Sequence, residues 1–531
     1  MHATAPTVAD PPLVRRLLSA DAYPHVVDAI RLVETHISWV FLTGAHVYKV
    51  KKPVDLGFLD FTSLERRRHF CAEEVRLNGR FAPDLYHGAV AITGPPERAL
   101  VGGAGEPIEW AVHLVQFDER DRLDHVLRRD ALTVADCQAL AADIAAVQRG
   151  LAVAPVGAPW GTAETFRRIV HLNLDQLGAH RPDLASRAAA LGVWVDTRIA
   201  AHATLIAARR EAGMIRECHG DLHLANLVRH GGRIVAFDGI EFNEALRWID
   251  VANDVAFLAM DLHARGRGDL AATVTSGWVE ASGDHGCLPL LTVYLVYRAI
   301  VRAAVAAIRV AQAGGAAGGP VADDDCLRYV DLAERLARPR RPILVATCGI
   351  SGSGKSTVAE AVAAAIDGIR VRSDVERKRL AGLAPLERPA DPDTVYGEAM
   401  TRRTYARLAE IAREVLHAGY SAVVDAACLR RWQRDCLARA AAAVGADLVW
   451  LELDVAPETA AARVRARADG GLDPSDAGAA VVAAQLASHD PITADEIGNH
   501  GGTRVVVIPM ATDQGFDRPA IDALVGRLPR G

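Results

Sequence analysis

The stretch Gly349-Ile350-Ser351-Gly352-Ser353-Gly354-Lys355-Ser356-Thr357 constrains this chain more than any other part of it. It matches G-x-x-x-x-G-K-[ST] at every fixed position, follows the apolar run ILVAT and opens the helical pattern STVAEAVAAAI. A glycine-rich turn between strand and helix lets main-chain N–H groups converge on phosphate oxygens, and the helix N-terminus adds partial positive charge. In that setting Gly349, Ser351, Gly352, Ser353, Gly354 and Thr357 shape the cradle. Lys355 neutralises the β and γ phosphates, and the Ser356 hydroxyl is a ligand for Mg²⁺. The expectation is a site for ATP and Mg²⁺.

Around this loop, residues 341–531 alternate apolar runs (IRVRS, SAVVDA, DLVWLELDV, TRVVVIP) with Ala-rich helical segments. That alternation predicts an α/β domain with a parallel sheet covered on both faces. Carboxyl ends of such strands face the ligand crevice. Asp374, after the run IRVRS, is therefore placed to accept a proton from an acceptor hydroxyl, with Arg377 near by to orient a polar or anionic substrate. Asp425 ends SAVVDA and is a candidate for the Mg²⁺ shell. Arg463 and Arg467 share one face of PETAAARVRARADGG, where they could close over the phosphates as a lid; a solvated arginine face is the competing reading.

The first 310 residues follow another plan. Short alternating strands (HISWVFL, HVYKVKK, AVAIT, IEWAVHLVQF) precede a long, mostly helical stretch, which predicts a sheet-rich lobe followed by a helical lobe. Within it, His219-Gly220-Asp221-Leu222-His223-Leu224-Ala225-Asn226 fits H-x-D-x-x-x-x-N. The following LVRHGGRIVAFD reads as a hairpin turning at His230-Gly231-Gly232, so Asn226 and Asp238 converge at its open end. An amide and a carboxylate so placed can share Mg²⁺ under a triphosphate, while Asp221 faces the acceptor hydroxyl. Alternation along HVYKVKK puts Lys49 and Lys51 on one face, and Lys49 is selected as the phosphate-positioning lysine. Its expected partner is Glu74, on the inward stripe of a helix that also carries Phe70, Leu77 and Phe81; Glu73 points away.

The C-terminal part resembles the P-loop kinases that include polynucleotide, gluconate and adenylylsulfate kinases, through GISGSGKST, RSDVERK and the arginine-bearing segment. The N-terminal part resembles the aminoglycoside phosphotransferase family of protein-kinase relatives, through HGDLHLANL, FDGIEFN and RWIDVANDVAFLAMDL. In order, the two halves are similar to bifunctional aminoglycoside phosphotransferase/ATP-binding proteins. The resemblance implies Asp221 and Asp374 as catalytic bases, Asn226 and Asp238 as Mg²⁺ ligands, Lys49 and Glu74 as the phosphate-positioning pair, and Arg377 as a substrate contact. It also makes Asp250 and Asp254 structural acids. One departure is that no G-x-G-x-x-G loop precedes Lys49, only Leu42-Thr43-Gly44-Ala45. The fold expected is an α+β, two-lobed, protein-kinase-like domain (1–313), a linker with a short helix (314–340) and an α/β P-loop kinase domain (341–531).

Composition narrows the partners. Of 60 Lys plus Arg only five are lysine: Lys49, Lys51, Lys52, Lys355 and Lys378. In so Arg-biased a chain, a retained lysine marks places where a compact ammonium is needed. A net charge of -6 argues against a general nucleic-acid or membrane-surface binder. The apolar stretch Leu290–Ala311 carries Arg298, Arg302 and Arg309, which favours a buried helix over a membrane span. Eight cysteines without CxxC spacing, and an N-terminus without an export pattern, fit a reduced cytoplasmic setting. The reading is a cytoplasmic phosphotransferase with two nucleotide sites and small hydroxylated acceptors. The alternative keeps the N-terminal half as a nucleotide-responsive regulatory module and the C-terminal half as the only active kinase or ATPase, with a nucleic-acid end as a candidate acceptor.

Overall fold

Period-two patterning in the first 115 residues builds a six-stranded antiparallel sheet: β1 (Arg31–Glu34), β2 (Ser38–Leu42), β3 (His46–Lys51), β4 (Tyr86–Thr93), β5 (Leu100–Val101) and β6 (Pro107–Val115), in spatial order β1-β2-β3-β6-β4-β5. The computed structural model describes residues 11–57, 59–312, 319–389, 391–470, 479–500, 502–513 and 518–529. One face of this sheet packs Phe41, Tyr48, Val50, Ile92 and Ala111 together. The other packs Val47, Val112 and Leu114 with Cys71 of the helix Leu64–Asn78. That helix starts at Ser63, whose hydroxyl accepts from Arg66 N, and it stops three residues before Phe81. Glu74 and Leu77 are buried on its inner side, whereas Phe70 is half-buried.

Further on, β7 (Ile215–Glu217) pairs with β10 (Trp248–Asp250), and β8 (Leu227–His230) pairs with β9 (Arg233–Ala236). His230 opposes Arg233, so Gly231 and Gly232 form a two-residue turn, with φ of +56° and +78°. Both positive values belong to the turn type that matches strand twist, and glycine adopts them without strain.

The second sheet has order β12-β13-β11-β14-β16-β15, from β11 (Leu344–Cys348), β12 (Ile369–Arg372), β13 (Ala422–Asp425), β14 (Leu448–Asp454), β15 (Gly498–His500) and β16 (Thr503–Ala511). All pairs are parallel except the β15 edge, a short strand that the apolar pattern does not announce. Val345, Val423, Val449 and Leu451 pack against Val358 and Val362 of the helix Lys355–Ala365. Strand order reverses at β11, which places the crevice for a ligand at its carboxyl end.

The chain divides into two compact units, Met1–Asp136 with Val147–Phe166 and Ala203–Leu258, and Cys137–Ala146 with Arg167–His202 and Ala259–Gly531. This differs from a break at 313–341. The helix Gly319–Ala337 is no linker: it lies along Leu288–Gln312 and buries Cys326, Tyr329, Leu332 and Leu336. The helix Gly268–Ser282 in turn packs on Lys355–Ala365, and the Ser276 hydroxyl accepts from Arg370 N at 2.8 Å. Of the small-residue stretch 311–320, residues 313–318 lie outside the described residues. One described helix, His285–Ala311, is long and apolar enough to cross a bilayer, and 72% of its apolar window is buried within the protein. Seven of the eight cysteines are buried.

Candidate active sites

From Cys348 the chain turns through the glycine-rich loop into the helix Lys355–Ala365. Gly352 and Gly354 both have φ of +83°. A Cβ on Gly352 would sit 2.4 Å from the Ala460 carbonyl oxygen, and one on Gly349 would sit 2.6 Å from Ser353 Oγ. Side chains are excluded at both positions, so the main chain itself forms the cradle wall. Gly352→Ala is expected to lower the melting temperature and weaken ATP binding at this loop at least about tenfold, because it adds a clash to a left-handed backbone; calorimetric titration of the folded variant checks it. Ser351 N donates to Gln485 Oε1 at 2.7 Å, so a glutamine from the helix Ala479–Ala487 takes an amide that an anionic oxygen could use. No spacing in the sequence points to Gln485.

This loop opens on a cavity of about 1180 Å³ lined by Lys355, Ser356, Asp374, Arg377 and Asp425. Asp374 stands in the first turn of the helix Ser373–Leu380. Arg377 is buried, donates to the Val395 carbonyl at 3.2 Å and to Thr401 Oγ1 at 3.0 Å, and lies over the Tyr396 ring. Asp425 ends β13, buried, with Arg372 Nε 3.7 Å away. The Ser356 hydroxyl and the Asp425 carboxylate are hard oxygen donors, which fit Mg²⁺. Arg463 lines the same cavity, but its guanidinium donates to the carbonyls of Gly352 (3.4 Å), Thr512 (2.7 Å) and Asp513 (3.1 Å). It therefore braces the loop against the chain after β16 rather than arching over it as a lid. The side chain of Arg467 lies outside the described residues.

In the N-terminal part, the hairpin β8–β9 carries Asn226 and Asp238 at its two open ends, where Phe237 N donates to the Asn226 carbonyl at 3.0 Å. Asn226 Nδ2 donates to Asp221 Oδ2 at 2.9 Å and to the Asp221 carbonyl at 3.0 Å. The amide nitrogen is thus turned to Asp221, which would leave its oxygen to hold a cation. Asp238 has φ of +60°, a left-handed conformation held by Tyr86, whose hydroxyl accepts from Asp238 N at 3.1 Å. Strain of this kind concentrates where a side chain must be aimed. Amide and carboxylate oxygens again suit Mg²⁺.

The loop beneath them is fixed from below. Asp254, fully buried, accepts from His219 N at 3.2 Å and Gly220 N at 2.9 Å. His219 Nδ1 accepts from Asp221 N at 3.3 Å, so its Nε2–H donates to the Phe237 carbonyl at 3.0 Å. Burial keeps this imidazole neutral by lowering its pKa. Asp250 pairs with Arg209 through both oxygens, at 2.6 and 2.8 Å. Asp250, like Asp254, is buried, as a structural acid must be.

Lys49 Nζ lies 2.8 Å from Glu74 Oε1 and 2.5 Å from Asp238 Oδ1, which joins strand, helix and hairpin in one ion network. Lys51, on the same face, donates to Glu74 Oε2 at 2.7 Å and to Glu241, and is wholly enclosed. Alternation indicates that Lys51 shares the Lys49 face; nothing in the pattern reveals Glu241 as its second partner. Burial pulls the Lys49 pKa down, but Asp238, Glu74 and Glu241 outweigh it and hold it well above the ordinary value. Burial raises Glu74, yet Lys49 and Lys51 win and hold it at about 2. A carboxylate with a depressed folded pKa stabilises the fold above its unfolded value and loses that contribution as pH falls through the folded one. Stability is therefore expected to fall, through this group, as pH goes from about 4.5 to about 2. Denaturant unfolding across that window should show a shallower slope in Glu74→Gln, which lacks the titrating group.

The AAA domain family matches residues 344–492. An uncharacterized protein of Mycobacterium tuberculosis strain H37Rv is 30% identical over 482 residues, which cover 89% of this chain and 93% of the relative. The chain belongs to the same family as this mycobacterial protein. Among solved structures, a gluconokinase from Sinorhizobium meliloti 1021 aligns with 35% of this chain and 94% of its own, at 22% identity and a TM-score of 0.25. A Plasmodium vivax ethanolamine kinase aligns with 58% of this chain and 82% of its own, at 11% identity and a TM-score of 0.36.

Proposed function

We propose that this family member is an ATP- and Mg²⁺-dependent phosphotransferase of the cytoplasm with two separate sites, each passing a γ-phosphoryl group to a hydroxyl of a small molecule. The observation that carries this reading is the single network in which Lys49, Glu74 and Asp238 meet beside Asn226 and Asp221. In it Lys49 positions phosphate oxygens, Glu74 holds Lys49, and Asn226 with Asp238 would hold the Mg²⁺ that neutralises charge on the triphosphate. Asp221 takes the proton of the acceptor O–H as the new O–P bond forms and the bridging P–O bond to ADP breaks.

At the other site, Lys355 and the loop amides hold the phosphates, Ser356 and Asp425 would hold Mg²⁺, and Asp374 receives the acceptor proton. The 1180 Å³ cavity exceeds the ~300–1,000 Å³ usual for one small ligand and so has room for a nucleotide and an acceptor together. Arg372, Arg377, Arg388 and Arg430 line it, which favours an acceptor bearing a carboxylate or phosphate. The full chain should be screened for transfer of labelled γ-phosphate to sugar acids, sugar phosphates, amino alcohols and aminoglycosides. Transfer lost in Asp221→Asn but kept in Lys355→Met belongs to the N-terminal site, and the reverse to the C-terminal one. ATP binding at the N-terminal site without transfer to any of these would instead favour a regulatory module.

A further inference from the structure

The outer face of the antiparallel sheet, opposite the one that carries Lys49, gathers three histidines that the phosphotransfer reading does not use. They come from three strands adjacent in space: His46 on β3, His113 on β6 and His87 on β4. Register explains how they meet. Tyr48 opposes His113 across β3 and β6, so His46 is the diagonal neighbour of His113 on the same face. On β4, Tyr86 opposes Leu114 and Gly88 opposes His113, which leaves His87 as the extra residue of a β-bulge. A bulge re-aims side chains. Here it sends Tyr86 inward to Asp238 and lets His87 join His113.

Ring centres of His46 and His113 are 4.9 Å apart, those of His87 and His113 4.6 Å, and those of His46 and His87 5.7 Å. One ring nitrogen from each lies within 4.8 Å of the other two. His113 Nε2 and His46 Nδ1 already share a hydrogen at 3.0 Å. His46 and His113 are half-buried, and His87 is exposed and gives an entry path. His25 packs against His46, but its ring nitrogens are directed to the Val26 carbonyl and Thr43 Oγ1. Burial and the neighbouring imidazoles hold His46 below its ordinary pKa and His113 at about 4, so both offer lone pairs at neutral pH.

The geometry points to a zinc-class divalent metal site formed by His46, His87 and His113, with the fourth position open to water. Three imidazoles without a carboxylate among them suit Zn²⁺, and disfavour Mg²⁺ and Ca²⁺, which take hard oxygen ligands. Tetrahedral ligands at the ~2.1 Å Zn–N distance stand about 3.4 Å apart, within reach of small side-chain rotations here. Entry requires no change of charge on the protein: the hydrogen shared by His46 and His113 moves to the other nitrogen of its ring. A bound ion would pin three adjacent strands of the sheet, two of which present Lys49 and Tyr86 on the opposite face.

The test uses the full chain stripped with chelator, titrated with Zn²⁺ by calorimetry and with Co²⁺ by visible spectroscopy. The expected result is one saturable equivalent, ligand-field bands of a four-coordinate Co²⁺ and no thiolate charge-transfer band. His87→Ala, a change at an exposed residue outside both proposed active sites, should weaken this binding at least about tenfold, and His113→Gln should do the same. Binding of unchanged affinity in both variants, thiolate bands, or no saturable binding by the wild type would overturn the proposal and leave the three rings as a packed, hydrogen-bonded cluster.

Discussion

Asp221→Asn is expected to lower phosphate transfer at the N-terminal site about a thousandfold while ATP affinity stays close to that of the wild type. The asymmetry follows from where Asp221 sits. Its Oδ2 accepts from Asn226 Nδ2 at 2.9 Å and stands 3.4 Å from His223 Nε2, whereas Lys49 is tied to Glu74 and Asp238. Under the proposed mechanism, removing the charge of Asp221 would delete the proton acceptor and leave Lys49 in its ion network. Asparagine is nearly the same size, and the main-chain bonds of the loop to Asp254 do not depend on the residue 221 side chain. Single-turnover transfer, compared with calorimetric ATP binding on the same protein, checks this. A parallel fall in both quantities would mean that Asp221 organises the loop rather than accepting a proton.

How much of this was readable without coordinates depends on the distance over which each signal acts. The hairpin closure that brings Asn226 to Asp238 is local: two glycines at 231 and 232 set the turn, and the turn sets the register. The glycine-rich loop is likewise local, and the alternation of 341–531 is enough for a parallel sheet. Partners that meet through tertiary packing left no such trace. Glu241 reaches Lys51 across 190 positions, Gln485 reaches Ser351 across 134, and the His46–His87–His113 triangle needs a bulge that no residue pattern declares. Arg463 shows the same limit in reverse: helical spacing can put an arginine on a face, but the carbonyls of Gly352, Thr512 and Asp513 decide where its guanidinium goes. The boundary drawn at 313–341 also rested on a local change of composition. Burial of Tyr329, Leu332 and Leu336 in the helix Gly319–Ala337 overrides it.

Lys355→Met should reduce nucleotide turnover at the C-terminal site by at least about a thousandfold, with the fold intact and N-terminal transfer unaffected. The lysines themselves supply the reason to expect so large an effect. Among the five, Lys52 pairs with a surface Glu34, and Lys378 is buried with its ammonium on the Pro385 carbonyl. Those two hold structure. Lys49 and Lys51 serve the Glu74 network, and Lys355 stands at the start of its helix, with Nζ donating to the Ile350 carbonyl at 2.6 Å inside the cavity. That contact curls the side chain back over the loop, where a compact ammonium fits. A planar guanidinium is wider and donates in a fixed fork, so Lys355→Arg is expected to rescue little of the lost turnover even though the charge is kept. Methionine preserves length and apolar stem, so a circular-dichroism melt near that of the wild type would assign the loss to charge. Turnover that persists in Lys355→Met, and disappears in Asp221→Asn, would place all of the chemistry at the N-terminal site and leave the glycine-rich loop as a nucleotide-binding element without catalysis.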